Sequence, residues 1–170
     1  MLKLITRNIR LLGFGGVALV AIAAQPALAA TASANLGVSA TVTSNCSVST
    51  SAVAFGNVDV TTGDAVDATG GLSVTCTNGT AWSASADAGA GSGATLAVRK
   101  MTSGTDLLSY ALYVDSGRTS AWGDGAATAT IDGTGNGSLQ SSTVYGRVFG
   151  GQNSSVVGSY ADTVAVTVTY

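Results

Sequence analysis

From about residue 31 onward, apolar side chains recur at every second position and small turn-forming pairs interrupt them at short intervals. Successive side chains of a strand point to opposite faces, so this period predicts β-strands and no helix. Strands are expected at about 34–49, 53–60, 71–77, 80–87, 94–101, 107–114, 127–132, 138–149 and 160–170. In the strand at 107–114, Leu108, Tyr110, Leu112 and Val114 share one face, and Ser109, Ala111 and Tyr113 share the other. Gly70-Gly71, Asn78-Gly79, Asp124-Gly125, Asp132-Gly133, Asn136-Gly137 and Gly150-Gly151 are the main breaks. Asn78-Gly79 supplies the positive φ angles of a tight turn, which predicts a hairpin joining 72–77 to 80–86. Many short strands without helices between them predict one all-β domain, an antiparallel sandwich. The strand at 160–170 places Val164, Val166, Val168 and Tyr170 on one face. It runs to the last residue, so an apolar edge in need of a cover is expected there.

The first thirty residues break the pattern. Lys3, Arg7 and Arg10 precede an apolar run from Leu11 to Ala24, followed by Gln25-Pro26 and Ala27-Leu28-Ala29. This order of charge, apolar core and small residues predicts an export signal, residues 1–30, cleaved after Ala29 or Ala30. The apolar run is short for a membrane span, and no second run of spanning length follows. The exported part, 31–170, is then one domain.

Charge narrows the possible functions. The exported part keeps Arg99, Lys100, Arg118 and Arg147 against nine aspartates, a net charge of −5. Nucleic-acid binding needs a cationic footprint, so that class is excluded as an expectation. The chain has no histidine and no glutamate, and a single lysine after the leader. General acid–base chemistry near neutral pH is poorly served by that inventory. Asp115-Ser116-Gly117 has the local form of an aspartic-protease signature, but no second copy exists to share a proton, and it reads as a strand-end turn. Asp132-Gly-Thr-Gly-Asn-Gly137 partly echoes a calcium loop, with Thr134 and Thr143 standing where carboxyl or amide ligands belong. It reads as a glycine-rich connection. Gly89-Ala-Gly-Ser-Gly93 precedes no predicted helix and so is no phosphate cradle. No catalytic residue, metal or cofactor is therefore expected.

Cys46 and Cys76 both lie in the exported part, where a lone pair is expected to form a disulfide. The loop of about thirty residues would contribute roughly 3–4 kcal/mol on the chain-entropy model. Free thiols or a metal site are the alternatives, though no further Cys or His could complete a coordination shell. Trp82, close after Cys76, is expected to pack near the bridge.

Several stretches in fixed order carry a family resemblance. They are Leu36-Gly-Val38-Ser-Ala40-Thr-Val42-Thr-Ser-Asn-Cys46, Phe55-Gly56, Leu72-Ser-Val74-Thr-Cys76-Thr-Asn-Gly79 and Tyr110-Ala-Leu-Tyr113-Val-Asp115. Trp122-Gly-Asp-Gly125, Tyr145-Gly-Arg147 and Gly158–Tyr170 follow. Together the chain resembles the spore coat protein U family, which includes pilins of archaic, Csu-type chaperone–usher pili. The resemblance implies an incomplete immunoglobulin-like antiparallel β-sandwich, completed by a strand donated from another subunit. It implies a donor segment at 31–42 and a pilin domain at 43–170. Leu36, Val38, Ala40 and Val42 would be the donor side chains, and Val164, Val166, Val168 and Tyr170 the acceptor-groove or chaperone-contact positions. Val42 belongs equally well to the domain body, and Leu36–Val42 could instead form the domain's own first strand.

The implied function is a structural subunit of an extracellular fimbrium, polymerising head-to-tail and serving attachment and biofilm formation. The implied partners are like subunits, a periplasmic chaperone and an outer-membrane usher, with no nucleic acid and no membrane span. A secreted spore-coat or matrix protein of the same fold is the first alternative. An exported carbohydrate- or surface-binding module using Trp122, Tyr110 or Tyr113 is the second.

Overall fold

A computed structural model describes Pro26 and residues 28–170, so the expected leader falls almost wholly outside the described residues. The chain divides into two compact units, Met1–Ser39 and Ala40–Tyr170. In the first, residues 28–39 carry no regular secondary structure. The second holds eight strands: β1 (Cys46–Ser51), β2 (Val66–Cys76), β3 (Ala81–Ala86), β4 (Arg99–Ser103), β5 (Asp106–Tyr113), β6 (Ile131–Thr134), β7 (Gln140–Val148) and β8 (Val166–Thr169). Among the described residues no helix is long and apolar enough to cross a membrane.

The strands form two antiparallel sheets, ordered β1-β2-β7-β5-β4 and β6-β3-β8. Alternation explains how they pack. Leu72, Val74 and Cys76 of β2, Leu108, Tyr110 and Leu112 of β5, and Val144 and Val148 of β7 point inward from the large sheet. Trp82, Ala84 and Ala86 of β3 meet them from the small sheet, with Ile131, Val166 and Val168 packed alongside. Cys46 lies opposite Cys76 in the β1–β2 register, and the two are joined by a disulfide with Cα atoms 4.1 Å apart. Trp82 belongs to the same core cluster as Cys76.

Several expectations change, among them the strands at 94–101, 127–132 and 160–170, which are regular only over Arg99–Ser103, Ile131–Thr134 and Val166–Thr169. Asn78-Gly79 turns the chain tightly, with Gly79 at φ +84° and the Thr80 N–H donating to the Thr77 carbonyl at 3.0 Å. It does not close a hairpin, because β2 and β3 lie in different sheets. Both strands carry an apolar face, so they meet face to face across the core instead of edge to edge. The turn is held against the β6–β7 connection, where Gly79 N–H donates to Gly135 O (2.8 Å) and Gly135 N–H to Thr80 O (2.7 Å).

The strand expected at 34–49 is regular only from Cys46, and residues 34–45 are exposed and irregular. The stretch expected as a strand at 53–60 has Val53, Phe55, Val58 and Val60 half-buried, two period-two pairs offset by one residue at Gly56-Asn57, and enters no strand pairing. It lies across the inner face of the large sheet, over glycines that leave it room. A Cβ on Gly70 would stand 2.7 Å from Val53 Cγ2, and one on Gly146 would stand 2.6 Å from Val53 Cγ1 and 2.9 Å from Phe55 Cζ. Gly146→Val should therefore lower stability by about 1–3 kcal/mol through overpacking. A drop in thermal midpoint would register this, and an unchanged midpoint would show that residues 53–55 do not bear on the sheet.

Candidate acceptor groove

Two adjoining cavities run along one side of the sandwich. One, of about 440 Å³, is lined by residues 50–53 and Phe55 on one side and by residues 160–164 and Val166 on the other, over a floor that includes Leu112, Trp122 and Val144. The other, of about 830 Å³, lies between residues 53–60 and 155–160, with Met101 and Leu108 beneath. Val53, Phe55, Met101 and Tyr160 line both, so the two cavities form one elongated groove. β1 pairs only with β2 and β8 only with β3, which leaves each with one unpaired edge among the described residues. A groove with an apolar floor between unpaired edges has the form of a site for one more strand.

The wall at 160–166 changes sheets. Ala161 bridges Thr102 of β4, with N–H···O distances of 2.8 and 3.0 Å, and the chain joins β3 only from Val166. Behind it lies Arg99, fully buried although charged. Its guanidinium donates to the carbonyls of Asp87 (2.8 Å), Leu96 (2.9 Å), Trp122 (2.7 Å) and Ala86 (3.4 Å). Burial pulls its pKa below the ordinary value, and Tyr110, Asp87 and Asp162 oppose that shift. On the groove side, the Tyr110 hydroxyl donates to Asp162 Oδ2 at 2.7 Å. Burial first, and that hydrogen bond second, push the Tyr110 pKa far above its usual range.

The expected positions fall as follows. Val164 and Val166 line the smaller cavity. Val168 continues the same face of β8, half-buried against the core, whereas Tyr170 is 56% exposed. Leu36, Val38, Ala40 and Val42 are exposed and lie in no strand. Cys46 and Cys76 are bonded to each other. Sequence reasoning did not single out Val53, Met101, Tyr160 or Asp162 as groove residues. The available signal is the pair of period-two steps Val53-Phe55 and Val58-Val60, which by itself predicts an ordinary strand.

The aromatic binding-surface alternative loses two of its three residues. Trp122 and Tyr110 are core, 2% and 4% exposed, and the Trp122 indole N–H donates to Ala84 O at 2.9 Å. Of the three, Tyr113 alone is partly accessible. Asp115 organises its turn, accepting N–H bonds from Ser120 (2.7 Å) and Thr119 (3.1 Å).

Several carboxylates are held below their ordinary value of 3.8. Asp67 is lowered chiefly by its paired hydrogen bonds from Arg147 (2.7 and 2.8 Å), Asp115 chiefly by the Ser120 N–H, and Asp124 chiefly by the Ala126 N–H. A folded pKa below the unfolded one gives stability that is present above the unfolded value and lost as pH falls through the folded one. With no histidine to titrate near neutrality, the thermal midpoint should be level from about pH 7 to 5 and decline below about pH 4. A step near pH 6.5 in a melting series would contradict this.

Comparison with known proteins agrees with this frame. Residues 32–167 match the Spore Coat Protein U domain model. The chain is 40% identical over 164 residues to Protein U of Myxococcus xanthus, covering 88% of this chain and 90% of that protein. Its fold is similar to that of a chain in the crystal structure of the CsuC–CsuE chaperone–tip adhesion subunit pre-assembly complex from the archaic chaperone–usher Csu pili of Acinetobacter baumannii. That match has a TM-score of 0.56 and 20% identity over 76% of this chain, and spans 40% of the matched chain's length. The fold is thus an immunoglobulin-like antiparallel sandwich, and the protein belongs to the Spore Coat Protein U domain family.

Proposed function

We propose that this protein is a structural subunit of an extracellular chaperone–usher pilus, exported through its leader and polymerised head-to-tail by donor-strand exchange. The observation that carries the reading is the elongated groove between residues 50–60 and 155–166, one wall of which leaves strand pairing after Ser51 while the other joins a strand only at Val166, with the Ala161 bridge to Thr102 before it. An inserted strand would complete the main-chain hydrogen bonding of those walls and place alternate side chains in the cavities. The segment 31–42 has the matching pattern, with Leu36, Val38, Ala40 and Val42 as the inserted side chains. Val164, Val166, Val168 and Tyr170 lie along the receiving strand. Each subunit gives one surface and receives on another, and such a contact generates an open filament.

A periplasmic chaperone would occupy the groove first, and an outer-membrane usher would be the site of exchange. The role is structural, without catalysis, and the fibre would serve surface attachment and biofilm formation. The second reading, a secreted coat or matrix protein, is favoured by the name of the matching family and by the likeness to Protein U.

Two measurements separate them. The pilus reading expects the periplasmic form to co-purify one-to-one with another exported protein, and surface material to run as a heat-sensitive ladder in unboiled detergent gels. A free, folded monomer in the periplasm and a single band from the surface would defeat the pilus assignment.

A further inference from the structure

One stretch of the groove wall is held without a strand ladder. Between the Ala161 bridge to β4 and the start of β8 at Val166, the main chain belongs to neither sheet. Two carboxylates hold it instead. Asp162 Oδ1 accepts the N–H groups of Ala90 and Thr163, both at 2.8 Å, and its Oδ2 accepts the Tyr110 hydroxyl. Asp87 Oδ1 accepts the N–H groups of Ala165 and Gly89, both at 2.9 Å, and the Asp87 N–H donates to Ala165 O at 3.0 Å.

The loop supplying these partners is itself tightly fitted. Gly89 has φ +76°, and a Cβ there would run into the Asp162 carboxyl group; one on Gly91 would run into the Lys100 carbonyl. Arg99 holds the loop from beneath through the carbonyls of Ala86 and Asp87. Val164 sits between the two held points and lines the smaller cavity.

We propose that Asp162, backed by Asp87, is a positioning clasp that presets residues 162–165 to receive the incoming strand, an inference that rests on the donor-strand reading above. Ionised acceptors make the shorter, stronger hydrogen bonds. A wall already fixed in its bound shape spares the complex the cost of ordering it. The polar notch of Asp162 and Tyr110 is satisfied internally, so an incoming apolar side chain meets no unpaired donor there.

The test compares the full exported chain with D162A, D162N and Y110F in two measurements. The first is amide hydrogen exchange at residues 163–165. The second is the capture rate of a labelled synthetic peptide copying residues 31–42, set against the thermal midpoint. D162A should expose those amides and slow capture about tenfold, beyond what its midpoint accounts for. D162N keeps an oxygen for the Ala90 N–H and should restore most of the rate. Y110F, which keeps the ring and loses only the hydroxyl, should slow capture by about threefold and carries the test if D162A does not fold. Wild-type capture and protection in both D162A and Y110F would overturn the clasp alone. Failure of the wild-type chain to capture the peptide would overturn the donor-strand reading. The exchange measurement would then still decide whether Asp162 holds the wall, and unchanged protection in the variants would overturn that too.

Discussion

Arg99→Met should cost about 3–5 kcal/mol of folding stability, a large share of the margin of a domain this size. The methionine roughly fills the space but donates nothing, so the carbonyls of Asp87, Leu96, Ala86 and Trp122 lose their partner inside the protein. Each orphaned buried acceptor costs about 1–3 kcal/mol. The opposing effect is the several kcal/mol needed to strip water from a guanidinium, which the variant no longer bears. That relief applies once, whereas the loss falls on two buried acceptors, Ala86 O and Trp122 O, and on two partly buried ones, so the loss should win. Arg99→Lys should be intermediate, because an ammonium offers three donors around one point and cannot span the fork. Urea unfolding of the disulfide-intact protein measures the difference. A methionine variant as stable as wild type would show that the buried charge returns no more than its desolvation takes away.

Arg99 also marks the limit of what the sequence discloses. A charged residue beside Val98 reads as the solvent side of a strand, yet Arg99 is fully buried and Val98 is 38% exposed. No periodicity announces that inversion, because its cause is four carbonyls, of Ala86, Asp87, Leu96 and Trp122, that only the folded chain gathers around the guanidinium. Strand centres were legible wherever burial alternates: Leu72-Val74-Cys76, Leu108-Tyr110-Leu112 and Val144-Gly146-Val148 each point one way along β2, β5 and β7. Pairing was less legible. Asn78-Gly79 specifies a local reversal of the chain but not which edge the next strand joins, and here it carries the chain from one sheet to the other.

The groove was half-legible. Val164 and Val166 are read directly from the alternation near the C-terminus. The opposite wall, 53–60, has two such period-two pairs, Val53-Phe55 and Val58-Val60, but joins neither sheet, and Val53 and Phe55 lie over Gly70 and Gly146. A pattern of period two cannot distinguish a paired strand from an extended segment resting on a sheet face. Asp162 and Tyr110 both lie within the family stretches, but their contact spans fifty-two positions and exists only in the folded chain.

Removing residues 31–41 should abolish fibre growth while leaving the sandwich of β1 to β8 folded. The donor reading places Leu36 and Val38 in the cavities of a neighbouring subunit, where each buried side chain contributes about 1.5–3 kcal/mol. Without them, and without the strand hydrogen bonds along the same segment, nothing offsets the cost of joining two subunits. The expected product is a chaperone-bound single subunit, with no bands above it in unboiled gels. A point variant gives a sharper version of the same test. Val38→Asp keeps the segment's length and its main-chain hydrogen bonds, but sends a carboxylate into an apolar cavity without a partner, at a cost of several kcal/mol. Because 1.4 kcal/mol is a factor of ten, ladder formation should fall by two orders of magnitude or more. Ser39→Asp, one residue along and on the opposite face of the inserted strand, should assemble nearly as wild type. Equal loss in both would mean that the segment acts through its charge and not through alternate side chains. Normal fibres from the deletion would mean that another part of the molecule joins the subunits.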